Sequence, residues 1–221
     1  MSSSSENLPL GLMTQPVSAA GEIPPEPPDV AARTLGVASR LLCGATTFFF
    51  VAYLFAFIYL RSLDQNHLWH EGHMKLSQGL GAGFIACVVL SAAATILAGR
   101  GMRAGSPSWL TAAIAGVLLG LLAVALQCIE YTSQNFGPTD GAYASVFTAW
   151  SAFYLIAVLG TMYWLETMVA TEARARRAPA GSGDVKDVDL LIAPGLDAVV
   201  FYWTFLACIG IVTYVTLYLV K

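Results

Sequence analysis

"GVASRLLCGATTFFFVAYLFAFIYL", residues 36–60, is 25 residues long and carries one charge, Arg40, near its start. A hydrocarbon core of about 30 Å needs roughly 20 apolar residues in a helix, so this run predicts a membrane span. Four further runs meet the same length, at about 76–98, 109–131, 143–169 and 196–220. In hydrocarbon every backbone amide and carbonyl must be satisfied internally, which makes helices the expected form. A membrane β-barrel would instead show short alternating segments. The fold class read from the sequence is therefore all-α, a polytopic bundle of five transmembrane helices occupying residues 36–221. The whole chain agrees with that reading. Of its 221 residues 57% are hydrophobic and 11% charged, whereas a soluble domain is about a quarter charged.

Between the spans the composition changes. Residues 1–35 hold "SSSS" and "GEIPPEPPD", rich in proline and acid and without helical period. They read as a disordered cytoplasmic tail, not as a signal peptide, which needs a basic start and an apolar core. The stretch 171–194, with "ARARRAPAGSGDVKDVD", reads as a flexible connector. Arg33, Arg40, Arg100, Arg103, Arg174, Arg176, Arg177 and Lys186 fall on one side of the five-span topology, and Arg61, Lys75 and Lys221 on the other. Eight against three places the N-terminus inside and the C-terminus outside.

Several function classes lack their signals. Net charge is −3 with no basic block, so nucleic acid is not an expected partner. Cys43, Cys87, Cys128 and Cys208 each stand alone in a different apolar run, without a CxxC pair, and read as buried structural thiols. Phosphate loops, nucleophile elbows and catalytic triads are missing from the sequence, so no catalytic residue is assigned. Gly79 and Gly83 form a GxxxG in the second span, and Gly116 and Gly120 another in the third. Such spacing predicts close helix contact without naming a partner. No pair of broken helices points to a transporter.

The three histidines all lie in "HLWHEGH", residues 67–73. His67, His70 and His73 are spaced by three, so one helical turn would put them on one face, with Glu71 as a further oxygen ligand for zinc or copper. The loop offers no supporting shell for a metal. It reads instead as a solvated outer loop anchored at the interface by Trp69, and loss of all three histidines is expected to have little effect. No span contains a histidine, so the chain has no means of building a haem–copper centre by itself. Of the ionisable residues near membrane depth, Arg40 and Glu166 read as boundary residues reaching headgroups. Glu130 differs, because Gln127 lies three residues before it on the same helical face and Tyr131 beside it.

Taken in order, the motifs resemble subunit III of the haem–copper (cytochrome c) oxidases, in a diverged five-helix bacterial form. The likeness rests on "FFVAYLFAFIYLR" (49–61), "VVLSAAAT" (88–95), "LQCIEY" (126–131), "GAYASVF" (141–147), "FYWTF" (201–205) and the closing "LYL" (217–219). It spans about residues 36–220. "LQCIEY" is close to the family's Gln-x-x-Glu-Tyr. The departures are Thr46 where the family has a buried glutamate, Tyr154 and Ala157 where it has histidines, and Thr204 and Ala207 within its Trp-His-Phe-x-Asp pattern.

The resemblance implies a non-catalytic accessory subunit of a respiratory terminal oxidase in a bacterial inner membrane. It would bind no cofactor itself and would pack against catalytic subunit I, subunit II and membrane lipids, the partners carrying haem and copper. Arg61, Gln127, Glu130, Tyr131, Tyr202 and Trp203 are the positions it marks as structural or interfacial. Two other readings remain open on the sequence: a similar accessory protein of nitric oxide reductase, and a free-standing membrane scaffold or transporter.

Overall fold

A computed structural model describes residues 27–64, 69, 74–177 and 184–220, with only the backbone described at 28–29 and 184–191. Among them there are five α-helices: α1 (Pro28–Ser62), α2 (Gln78–Arg103), α3 (Trp109–Ser133), α4 (Ala142–Ala175) and α5 (Asp184–Tyr214), which runs on as a π-helical turn, Val215–Leu219. All five are long and apolar enough to cross a membrane. At 1.5 Å per residue, the 35 residues of α1 and 34 of α4 extend about 50 Å, well beyond a hydrocarbon core of about 30 Å.

That excess length corrects two boundaries. The stretch 28–35, expected in the tail, is the first part of α1, while residues 1–26 lie outside the described residues. Pro28 sits at the start of the helix, where its fixed φ is pre-organised and its missing N–H costs nothing. Likewise, most of the expected connector 171–194 is helical. Alanines and the Glu172–Arg176 ion pair at i,i+4, 2.7 Å, carry α4 to Ala175. Helix α5 is already formed at Asp184 and continues through Pro194. Residues 178–183 lie outside the description. Hydropathy marks where a helix can enter lipid, but helix propensity decides where it ends.

One end of the bundle gathers the start of α1, the α2–α3 turn, the end of α4 and the first part of α5. There Arg103 pairs with Asp197 at 2.5 Å, and the Arg176 guanidinium lies 5.7 Å from the Trp109 ring centre. The α2–α3 turn is a Schellman motif. Ser106 N–H donates to the Gly101 carbonyl and Gly105 N–H to that of Met102, with Gly105 at φ 65°. The other end holds the α1–α2 and α3–α4 connections and the π turn. It is tied by Lys75 N–H donating to Asn135 Oδ1 at 3.1 Å.

Lipid tails are as apolar as leucine, so helix association here depends on close packing and hydrogen bonds, not on escape from water. Helices α2 and α3 make the most extensive contact. Gly116 lets α3 approach Thr95 and Ser91, and Gly120 accommodates the Met162 sulfur. The other GxxxG pair behaves differently: Gly79 has nothing near it and Gly83 meets only Leu126, while Gly81 between them carries the close approach. The centre is filled by Trp150, Tyr154, Leu165, Trp203 and Leu206, all at most 1% exposed. Helix α1 is the least enclosed, with Leu41, Phe48 and Phe55 turned outward. Trp69, expected at the interface, is buried, its ring edge-on to Phe57 of α1 and Tyr143 of α4 at 5.2 and 5.6 Å. The cysteines also depart from expectation. Cys43 and Cys87 are half-buried, and Cys128 and Cys208 are exposed. An apolar environment suits a thiol on the lipid side of a span as well as in the core.

Candidate functional site

The end of α3 reads "LQCIEY", and its i,i+3 spacing turns Gln127 and Glu130 into the bundle, at 2% and 1% exposure. Glu130 is enclosed within the bundle. Its Oε2 accepts from Gln127 Nε2 at 3.1 Å and from the Tyr218 hydroxyl at 2.7 Å. Tyr218 arrives from the π turn, a register that commonly marks a functional segment. Within that turn Thr216, Leu217 and Tyr218 are all buried, and the Leu217 carbonyl accepts from the Tyr143 hydroxyl of α4 at 2.5 Å. The Tyr218 ring lies directly over Gly81 of α2, where a Cβ would collide with three ring carbons. One carboxylate thus joins α3 to α5, and the ring that binds it also packs on α2.

This contact makes a prediction. Gly81→Ala must displace the Tyr218 ring and weaken its bond to Glu130. The expected cost is about 1–3 kcal/mol, the usual scale of overpacking a tight contact. Gly79→Ala, which meets open space, should be neutral or slightly stabilising through helix propensity. Thermal unfolding of the two variants in the same detergent compares them.

A second group lies nearer the middle of the bundle. Ser91 of α2 donates to the Gly116 carbonyl of α3 at 2.6 Å and accepts from Trp203 Nε1 of α5 at 3.1 Å. Thr95 Oγ1 donates back to the Ser91 carbonyl at 2.8 Å. On α4, Trp150 Nε1 donates to Thr213 Oγ1 and the Tyr154 hydroxyl to the Leu206 carbonyl, each at 2.9 Å. Tyr131 reaches Ser151 Oγ at 2.9 Å, linking α3 to α4. Thr46 of α1 and Tyr202 of α5 share a bond of 3.0 Å. All of these polar side chains except Thr95, which bonds within α2, tie one helix to another.

The residues singled out in the sequence therefore fall in different places. Gln127 and Glu130 form one cluster, and Tyr131 continues from it on α3. Tyr202 and Trp203 belong to other contacts, some 15 residues before Tyr218 and so about 20 Å away along the helix. Arg61 is exposed at the end of α1, its guanidinium 6.0 Å from the Phe57 ring centre. His67, His70 and His73 lie outside the described residues. Among the described residues no three His, Cys, Asp or Glu side chains converge on a metal position. Of the positions where the resemblance implies lost polar groups, Thr46 and Tyr154 still make interhelical bonds. Thr204 bonds only its own helix, at Val200. Ala207 is buried, and the Ala157 carbonyl accepts from Thr161 of the same helix.

Two spaces flank the Glu130 cluster. An interior cavity of about 10 Å³, lined by Gln127, Ser151, Tyr154, Thr213 and Tyr218 among others, is about the size of one water. An open cleft of about 350 Å³ is lined by Lys75, Leu76, Ser77, Leu80, Glu130, Ser133 and Gln134. Glu130 Oε1 and Gln134 Oε1 are buried and unpartnered. The interior can hold helices in register, and among the described residues the one buried carboxylate oxygen without a hydrogen-bond partner, Oε1, belongs to Glu130.

No protein-family model matches the chain, and no curated protein sequence matches it. What stands plainly is an all-helical chain with the build of a multi-pass membrane protein.

Proposed function

We propose that the chain is a non-catalytic accessory subunit, similar to subunit III, of a haem–copper terminal oxidase. In that role it braces the catalytic subunit that oxidises cytochrome c and reduces dioxygen to water. The observation that carries the reading is the use made of the polar residues in the ordered motifs. Glu130 of "LQCIEY", itself bonded by Gln127 of its own helix, Tyr143 of "GAYASVF", Ser91 of "VVLSAAAT" and Trp203 of "FYWTF" each make a hydrogen bond to another helix of the bundle. That is how a bracing subunit spends its polar groups. The outward Phe48, Leu41 and Phe55 of α1 supply apolar area for a neighbouring helix or lipid.

In this reading the arginine-rich end faces the cytoplasm, the cleft end faces outward, and the membrane is the bacterial inner membrane. Haem and copper reside in the partners, catalytic subunit I and subunit II. The test is to isolate the tagged chain from its native membrane in mild detergent and record a reduced-minus-oxidised visible spectrum. Haem bands in a stoichiometric complex containing a much larger membrane subunit are expected. A colourless chain without a large partner would sink the proposal. A partner that reduces nitric oxide but not dioxygen would move the chain to the other respiratory complex.

A further inference from the structure

Helix α1 stands at the edge of the bundle and packs chiefly on α5 and α4. Its inward side follows a seven-residue repeat: Cys43, Thr46, Phe50, Tyr53, Phe57 and Leu60, all buried or half-buried, succeed one another at alternating steps of three and four. Spacing of that kind keeps one seam against a neighbour at the shallow crossing angle common between membrane helices. The outward side repeats in the same way. Leu41, Gly44, Phe48, Val51, Phe55 and Ile58 form a second seam, again at steps of three and four. Its five large side chains are 57–73% exposed, against 41% and 48% for Leu42 and Phe49 beside them, so the seam is the middle of the outward face. A bare stretch of backbone lies within it, since a Cβ at Gly44 would meet nothing within 4 Å.

Lipid chains do not require this arrangement. They cover any apolar surface, without a period and without a glycine, the least favourable residue but proline in a helix interior. A second helix uses both, the period to stay in contact over about five turns and the glycine to come close. The sizes along the seam say which helix. Large Leu41, Phe48 and Phe55 alternate with smaller Gly44, Val51 and Ile58. Two copies inserted in one membrane with the same orientation bring their α1 helices together in parallel, and each knob then enters a hole made by the adjacent levels of the other seam. The Phe48 ring of one copy lies over Gly44 and Val51 of the other, and Phe55 over Val51 and Ile58, large against small on both sides of a two-fold axis. Arg40 and Arg61, the charges at the two ends of this stretch, are exposed and lie on the flank of the seam, so pairing buries neither. We infer that the chain pairs with a second copy of itself through the outward seam of α1. The pairing uses none of the hydrogen bonds on which the oxidase reading rests, and it holds with or without that reading.

Disulfide trapping of the full chain in its native membrane tests this, with Cys43, Cys87, Cys128 and Cys208 replaced by alanine. Val51→Cys, on the seam, should link two copies on mild oxidation and give a product of twice the chain's mass. Leu42→Cys, on the outward face but off the seam, should not link, since a disulfide needs Cα atoms within about 7 Å. Adding Gly44→Leu to Val51→Cys should lower the linked fraction about tenfold, the scale of overpacking a close contact. A side chain at residue 44 points into open space within its own copy, so this variant should unfold at its parent's temperature and separate pairing from folding. Phe48→Ala, a truncation on the outward face, should lower the linked fraction as well. Equal linking at residues 42 and 51 would reveal chance collision and overturn the inference. So would the absence of linking at residue 51, linking that survives both Gly44→Leu and Phe48→Ala, or a linked product that contains a different protein.

Discussion

Replacing Trp203 by alanine will destabilise the bundle by about 3–5 kcal/mol, the scale of removing a large aromatic from a well-packed interior. Trp203 is fully buried on α5, and its indole N–H reaches the Ser91 hydroxyl that also bonds the α3 backbone at Gly116. Two effects are lost together, ring packing and a hydrogen bond, and magnitudes separate them. Hydrogen bonds between membrane helices average about 0.6 kcal/mol and reach about 1.7. Packing must therefore supply most of the loss. Trp203→Phe, which keeps most of the ring but not the N–H, should recover the larger part. Unfolding by denaturing detergent, followed by circular dichroism because the change alters tryptophan fluorescence, gives both values. A phenylalanine variant as unstable as the alanine variant would mean that the Ser91 bond, not packing, dominates.

The same residue indicates how far the sequence can be read. That α5 crosses as a helix is plain in its apolar run, because a bilayer imposes a length that composition alone reveals. That Trp203 meets Ser91 is not legible, since the two are 112 residues apart and no local period encodes the pairing. Helix ends escape the sequence for a related reason. Residues 28–35 and the end of α4 are too polar to register as spans, yet their alanines and an i,i+4 ion pair keep them helical. Among Gly79, Gly81 and Gly83 the small-residue spacing favours the outer two, but the face is chosen by the partner. Tyr218 occupies the middle position and lies outside any local window.

The Glu130 cluster divides along the same line. Gln127 is visible as its partner because i,i+3 places both on one face of α3. Tyr218 is not. A tyrosine at the end of an apolar run is the usual mark of a membrane interface, and only the π turn and the bare backbone at Gly81 bring its ring inward. A carboxylate near a helix end also reads as a headgroup contact until the packing of a distant segment encloses it. Local sequence carries the direction a side chain takes from its helix. What stands in that direction depends on tertiary contacts.

Glu130→Leu should therefore cost about 2–6 kcal/mol, because it strands two buried donors, Gln127 Nε2 and the Tyr218 hydroxyl, at about 1–3 kcal/mol for each unsatisfied group. Tyr218→Phe removes one donor and leaves the carboxylate its bond from Gln127, so it should cost about 1 kcal/mol, the usual net worth of such a bond. The double variant should be less unstable than the two single costs added together, since a phenylalanine in place of Tyr218 has no hydroxyl left to strand when leucine replaces Glu130. A coupling of about 1–2 kcal/mol is expected from that cycle, near the upper end of values for hydrogen bonds between membrane helices. Gln127→Leu provides the complementary cycle on α3 alone. If its coupling to Glu130 matches that of Tyr218, the carboxylate serves its own helix as much as the bundle. If the Tyr218 coupling is the larger, Glu130 acts chiefly to fasten the C-terminal π turn to α3. Additive costs in both cycles would contradict the bonding arrangement itself.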